Sequence, residues 1–494
     1  MESVAFMRIR RTSIVLKPDN SRVFFRPFEF ANRDRVLKII ARVMALSELE
    51  AERRAQAVLR EFADRHQRLR VFFLKRFEQL RDYLITDQRL SEARQLLLGA
   101  FFSQEYSLEA AALFNPSLVP HPDQSDLPEG SVRFVLSLRA TGEGHISSIV
   151  FRSGVIDRDA RVTVKTPTRF VNAGEVLTNP AYDKKLFERK LFELGLLNDF
   201  AQKMLSLLED TFTFEQLKAL VDREQRRTRA TPGAQSGTAH AVLSVAQANY
   251  EIHFDPTQRL SERVIFPTSP AEVRGIEDAR FVAFREEDGG TTYYATYTAY
   301  DGQVVLPQVL ETRDFVDFKI STLNGPEVQN KGMALFPRKI SGRYAMLSRQ
   351  DNENMYLMYS DQLHFWYARQ ILLRPTYPWE FVQIGNCGPP IETEAGWLVI
   401  THGVGPMRKY SIGAVLLDRD DPSRVLGRLP KPLLSPTESE REGYVPNVVY
   451  SCGGMTHAGH LILPYAMSDL CSGFATVPLS DLLESLLRFG PGQT

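Results

Sequence analysis

Gly275-Ile-Glu-Asp-Ala-Arg-Phe-Val-Ala-Phe284 places an acid pair and an arginine at the head of a short apolar run. The run opens on glycine, which predicts a buried strand. Side chains alternate along a strand, so Asp278 and Arg280 are expected on one face and Glu277 on the other. Alone, the pair reads as a surface Asp–Arg contact. Its place beside Gly275, where an apolar strand begins, favours a buried and oriented acid.

Outward from this strand the texture is the same from Phe114 to the C-terminus. Val132–Leu138, His145–Arg152, Tyr293–Ala299, Tyr344–Leu347, Met355–Tyr359, Trp397–Thr401, Gly413–Leu417 and Val448–Ser451 read as strands between Gly, Pro, Asp and Asn clusters. Many short strands with regular turns predict a sandwich, barrel or propeller. Tyr359–Trp366 and Leu416–Pro422 share a strand-and-turn texture, a weak sign of radial repetition. Leu186, Phe187, Leu191, Leu194, Leu197, Phe200, Met204 and Leu208 have helical spacing, so a helical insertion is expected at about 180–230, with a loose loop over Arg227–Gly237.

The N-terminal part differs. Ile9–Leu16 and Arg22–Pro27 read as strands around Pro18-Asp-Asn-Ser21, and Arg33–Leu113 is nearly free of Gly and Pro with apolar residues at helical spacing. Residues 1–112 are therefore expected to form a β-hairpin plus an α-helical extension, and 113–494 the main domain. Arginines crowd these helices, but Glu48, Glu50, Glu52, Glu61, Asp64, Glu78 and Asp82 alternate with them, which predicts a solvated face and no nucleic-acid arm.

Lys plus Arg and Asp plus Glu are 60 each, so no global field points to nucleic acid or a membrane. Cys387, Cys452 and Cys471 are too few and too irregular for a disulfide framework or a zinc cluster, and no metal is expected. Nothing resembles a signal peptide or a bilayer span, so a cytoplasmic protein without membrane partners is expected.

Further segments carry chemistry: Asn115-Pro116, Leu136-Ser-Leu-Arg139, Asn330-Lys331 before Leu335-Phe-Pro, Arg349 after Met346-Leu, Pro389-Pro-Ile391, Gly396-Trp-Leu-Val-Ile-Thr-His-Gly403, Gly413–Asp418 and Leu463-Pro-Tyr-Ala-Met-Ser-Asp469. Each alone has an ordinary reading as turn or cap chemistry. Together and in this order, from about Leu113 onward, they resemble the mannoside phosphorylases and β-mannosidases of glycoside hydrolase family 130. Ala279 stands where relatives carry proline, and Leu463–Asp469 departs from their usual Tyr-Tyr-Gly-Ala-Ala-Asp.

The resemblance implies an all-β core, a five-bladed β-propeller carrying the helical extension and insertion. It implies Asp278 as catalytic acid, acting through the sugar's 3-hydroxyl. Asn115, Arg139 and Asp469 would hold the mannosyl unit, and Arg280, Lys331, Arg349 and His402 the phosphate. The expected substrates are an oligosaccharide and inorganic phosphate, with no other cofactor, in a homo-oligomer. A phosphorylase can omit the catalytic base that a hydrolase needs, because phosphate is already anionic. The alternatives are an inverting β-mannosidase, with Glu353, Glu392, Glu440 or Glu442 as base, and a propeller that binds glycans without turnover.

Overall fold

Turns of one design punctuate the chain: Arg259-Leu-Ser-Glu262, Ser269-Pro-Ala-Glu272, Tyr377-Pro-Trp-Glu380 and Thr437-Glu-Ser-Glu440. In each, the buried glutamate reaches back to the N–H of the turn's first residue, at 3.3, 3.0, 3.0 and 2.9 Å. A buried carboxylate needs further partners. Glu272 accepts from the hydroxyls of Tyr250 and Tyr297, Glu380 from Arg428, and Glu440 from Arg11 and Tyr465. Repetition thus resides in these turns, more clearly than in Tyr359–Trp366 and Leu416–Pro422.

The computed structural model describes residues 8–86, 88–177, 181–227, 234–302 and 305–492. It is mostly β with helical additions. Antiparallel sets of strands follow one another along the chain, the first two joined by a parallel pairing of Gly275 with Ser147 into one twelve-stranded sheet. The first holds Ala112–Pro120, Val132–Thr141 and Ser147–Ile156. The second holds Gly275–Arg285, Thr291–Tyr300, Val305–Thr312 and Asp317–Thr322. Ala334–Leu335, Tyr344–Ser348, Met355–Ser360 and Arg369–Leu373 make the third. Gln383–Asn386, Gly396–Val404, Tyr410–Leu417 and Val425–Arg428 make the fourth. The fifth holds Val449–Tyr450, His460–Met467 and Cys471–Pro478.

Neighbouring sets touch in sequence. Ala112–Pro120 packs on Gly275–Arg285, Thr291–Tyr300 on Ala334–Leu335, Tyr344–Ser348 on Gln383–Asn386, and Tyr410–Leu417 on Val449–Tyr450. His460–Met467 of the fifth set packs back on Ala112–Pro120 of the first. The apolar layers between them, such as Phe151, Phe281, Phe315 and Phe318, are fully buried.

The N-terminal hairpin is corrected. Arg10–Leu16 pairs with Cys471–Pro478 of the fifth set, and Val23–Pro27 pairs with Ser103–Ser107. Long-range partners carry no local sequence signal, so adjacent strands read as a hairpin by default. The helical extension is α1 (Arg33–Met44), α2 (Glu48–Glu61), α3 (Leu69–Glu78) and α4 (Glu92–Phe101). Asn32, Ser47 and Ser91 cap α1, α2 and α4, and Val36, Ile40, Phe73, Phe77 and Leu97 form a separate core. Arg22 and Arg152 both pair with Glu109 in a buried triad beside this extension.

The insertion is longer than expected. It comprises α5 (Lys184–Glu193), α6 (Asp199–Ser206), α7 (Phe214–Arg227) and α8 (Ala234–Gln247) around its own core. Of the expected loop Arg227–Gly237, residues 228–233 lie outside the described residues and 234–237 begin α8. A last helix, α9 (Leu479–Phe489), covers the fourth and fifth sets. Among the described residues no helix is long and apolar enough to cross a membrane.

Candidate active site

Two register breaks face each other where the first and second sets meet. Strand Ala112–Pro120 shifts register between Phe114 and Ser117, and strand Gly275–Arg285 shifts between Glu277 and Arg280. Asn115 (φ +47°) and Asp278 (φ +56°) occupy these bulges in left-handed backbone. Asn115 donates Nδ2–H to Asp278 Oδ1 at 2.6 Å. Gly275 (φ +126°) starts the strand against Ser147, where no Cβ has room. Ser147 in turn donates its hydroxyl to Ile276 O at 2.9 Å.

The bulge overturns the expected alternation. Glu277 does not point away from Asp278: Arg139 donates to Glu277 Oε1 at 3.0 Å and to Asp278 Oδ1 at 3.3 Å. A left-handed residue breaks the two-residue period, so both acids meet the same arginine. Arg139 also lies over the Phe114 ring at 5.0 Å. Glu277 further pairs with Lys331. Sequence reasoning missed Glu277 as a site residue because it assumed a regular strand.

Arg280 is 2 % exposed; it donates to the Asp278 carbonyl at 3.0 Å and to the Tyr450 hydroxyl at 2.6 Å. Lys331 sits between Asn330 (φ +63°), whose side chain donates to Gln350 O at 3.1 Å, and Gly332, whose carbonyl accepts from Asn386 at 2.6 Å. Arg349 follows strand Tyr344–Ser348, and its guanidinium has no hydrogen-bond or ion-pair partner among the described residues. Gly385 leaves the space that His402 and the Arg349 stem fill; a Cβ there would overlap both.

His402 is buried, with Nδ1 3.2 Å from Asn386 O and Nε2 3.1 Å from Gln383 Nε2. Burial and the charges of Arg349 and Arg280 hold its pKa well below the usual range, so the imidazole is neutral at neutral pH. With Nδ1–H donated to Asn386 O, Nε2 accepts from Gln383. The ring that the resemblance places at the phosphate is thus engaged at both nitrogens.

Asp469 (φ +50°) lies in the turn between His460–Met467 and Cys471–Pro478. Burial and then the Asp278 charge push its carboxyl up to about 6, against Arg139 and Arg408. For Asp278, burial acts to raise the pKa. Arg139, Arg280, Lys331 and the Asn115 hydrogen bond outweigh it and hold the carboxyl below the usual range. The same fields tie Asn115, Arg139, Asp278, Arg280, Lys331, Arg349, His402 and Asp469 into one site. Glu392 is bound to Arg338 and Arg419, and Glu440 to Arg11 and Tyr465, so neither is a free base. Among the described residues no group of three or more His, Cys, Asp or Glu could hold a metal ion.

A family model described as beta-1,4-mannooligosaccharide phosphorylase matches residues 236–488. Asn115 and Arg139 lie outside that range. The chain is 35 % identical to a 1,2-beta-oligomannan phosphorylase of Thermoanaerobacter sp. (strain X514), over 52 % of this chain and 85 % of the relative. It is 30 % identical to a beta-1,2-mannobiose phosphorylase of Listeria innocua, over 50 % of this chain and 70 % of the relative. The solved structure of the beta-1,2-mannobiose phosphorylase from Listeria innocua in complex with beta-1,2-mannobiose aligns over 77 % of this chain and 93 % of that one, with 21 % identity and a TM-score of 0.46.

Proposed function

The chain belongs to glycoside hydrolase family 130, and on that premise we propose that it cleaves β-mannosides with inorganic phosphate, releasing α-mannose 1-phosphate. The observation that carries this reading is Arg349, a cation with no side-chain partner among the described residues, in the same field as Arg280 and beside the site of Asp278 and Lys331. Such a cluster binds an oxyanion through charge-assisted hydrogen bonds.

Asn115, Arg139 and Asp469 hold the mannosyl ring, and Arg280, Lys331 and Arg349 place phosphate behind its anomeric carbon. His402 keeps Arg349 company as a neutral, fixed neighbour rather than as a charged ligand. A phosphate oxygen bonds to the anomeric carbon as the glycosidic C–O bond breaks, with inversion. Asp278 supplies the proton that the leaving oxygen takes, relayed by the sugar's 3-hydroxyl.

The electrostatics give this order a physical basis. In the free site three cations keep Asp278 ionised, which does not suit an acid. A phosphate dianion beside Lys331 and Arg280 offsets those charges and raises the carboxyl's proton affinity. The acid is therefore armed by the co-substrate. Glu277, spent on Arg139 and Lys331, is not a free base for water.

The scaffold of this site is, on the same reading, a five-bladed β-propeller. The succession of antiparallel sets, the packing of the last set back onto the first and the recurrent glutamate turns support it. Arg10–Leu16 would then close the ring by pairing within the last blade. We assign 113–494 as the catalytic unit and 1–112 as an extension suited to contacts between subunits. No cofactor beyond phosphate is required, and the cytoplasm supplies it.

The test is turnover of β-1,2- and β-1,4-mannobiose with and without phosphate. Sugar 1-phosphate is expected only when phosphate is present. Release of free mannose at the same rate without phosphate would contradict the assignment.

A further inference from the structure

Between the helical insertion and the strands lies a cavity of about 190 Å³, none of whose lining residues belongs to the active site. Helix α5, the end of α8, strand Asp317–Thr322 of the second set and the His364 loop of the third set border it. Its polar part is incompletely bonded. Thr322 is 4 % exposed, and its Oγ1 has no hydrogen-bond partner among the described residues; nor has the buried Nδ1 of His364. Such groups cost stability unless something in the cavity bonds them. The backbone beside them is already engaged: Thr322 N–H donates to Asn249 Oδ1 at 2.8 Å, and Asn324 N–H donates to His364 O at 2.8 Å.

Two cations line the same space. Lys190 is buried; it donates to Leu323 O at 2.9 Å and lies 3.5 Å from Glu193, which in turn accepts from Gly325 N–H at 2.8 Å. Lys319 is exposed and makes no ion pair among the described residues. Burial, and then the Lys319 charge, push the His364 pKa down to about 4, so its ring is neutral at neutral pH. Asp183 is the one carboxylate on the lining among the described residues, and it caps α5 by accepting from Leu186 N–H at 2.9 Å. The rest of the wall includes Leu186, Phe187, Val245 and Ile320. Water bonds a hydroxyl and an imidazole, but it gains nothing from an apolar wall.

We propose that this cavity binds a small organic acid, one carboxylate on an apolar body, with Thr322, His364 and Lys319 holding the carboxylate and Leu186, Phe187, Val245 and Ile320 covering the body. The carboxylate accepts from the Thr322 hydroxyl, from Nδ1–H of the neutral His364 ring and from the Lys319 ammonium, which satisfies both orphaned groups at once. Two buried donors match the two oxygens of a carboxylate, whereas the three free oxygens of a phosphate monoester outnumber them. An apolar cavity of about 150 Å³ holds benzene, so this one has room for a body of about six to ten non-hydrogen atoms. The helical insertion thereby acquires a task of its own, and binding there does not depend on the mannoside-phosphorylase reading.

The test is calorimetry and ligand-observed magnetic resonance on the full chain with butyrate, benzoate and benzyl alcohol. Benzoate should bind with a Kd of about 1 mM or tighter, and about tenfold more tightly than benzyl alcohol, which keeps the ring and lacks the charge. Lys319→Ala and Thr322→Val remove no side-chain hydrogen bond found among the described residues, so both variants should fold. Each should weaken benzoate about fivefold or more and leave benzyl alcohol unchanged. The His364 imidazole resonances should move when benzoate is added to the wild-type chain. Equal affinity for benzoate and benzyl alcohol, benzoate binding unaltered by both substitutions, or no binding of either acid would overturn the assignment and leave the cavity to water.

Discussion

Two clusters of arginine and glutamate lie inside this protein, and they are built in opposite ways. In one, Glu109 is fully buried between Arg22 and Arg152, each of which also donates to a backbone carbonyl, of Ser261 and Phe151. Burial outweighs Glu109 there and lowers the Arg22 pKa to about 10. In the other, Glu277 bridges Arg139 and Lys331 beside Asp278, on two bulged strands whose key residues are left-handed, and Arg349 has no side-chain partner among the described residues. Buried charge alone therefore does not mark the active site. Strained backbone and a cation without a partner do, because a structural triad has no use for either.

The largest expected effect separates the two clusters by chemistry. Asp278→Asn should lower turnover by about 10²- to 10⁴-fold, the usual contribution of a general acid, with the unfolding midpoint unchanged or raised. Steady-state rates beside a denaturant titration would check this; a loss of stability of the same size would place Asp278 with the structural charges. Glu109→Gln is the converse. It leaves two buried arginines unpaired and should cost about 3–5 kcal/mol of stability, with sugar and phosphate KM unchanged in the folded fraction.

Smaller effects sharpen the contrast within the active cluster. Arg349→Ala should raise the phosphate KM by about tenfold or more at constant stability, since no partner among the described residues is lost. Lys331→Ala should do so less, because Glu277 already shares that charge. Equal changes in the KM for sugar would break the assignment of these cations to phosphate.

The smallest expected effect is a shift in pH dependence. Asp469 has a folded pKa raised from 3.8 to about 6, so its protonated form is favoured by the fold and its ionised form is penalised as pH rises through about 6. An ionised Asp469 accepts from sugar hydroxyls, so mannobiose affinity without phosphate should fall as pH drops through about 6. Asp278→Asn should move that midpoint down by removing the neighbouring charge, though not to 3.8, because burial stays.

Much of this was legible in the chain. The strands around Val132–Leu138, Trp397–Thr401 and Gly413–Leu417 were marked by apolar runs between turn residues, and all eight expected site residues gather in one place. The bulges were not legible, since left-handed backbone at Asn115 and Asp278 is imposed by packing between two sets of strands; hence Glu277 was missed. The pairing of Arg10–Leu16 with Cys471–Pro478 joins the two ends of the chain and leaves no local trace. Helix α8 had a signal in Ala239, Val242 and Ala246, all buried, but Gly237 obscured it. Burial and the charges of Arg349 and Arg280 lower the His402 pKa, an effect of surroundings that residue type alone does not show.

One measurement tests the central claim most directly: proton and phosphorus magnetic resonance of β-mannobiose with phosphate and the purified protein, followed from the first turnover. The account predicts α-mannose 1-phosphate appearing mole for mole with released reducing sugar, and none with Asp278→Asn. Free mannose as the first product from both halves of the disaccharide, or a β-linked phosphate, would contradict it.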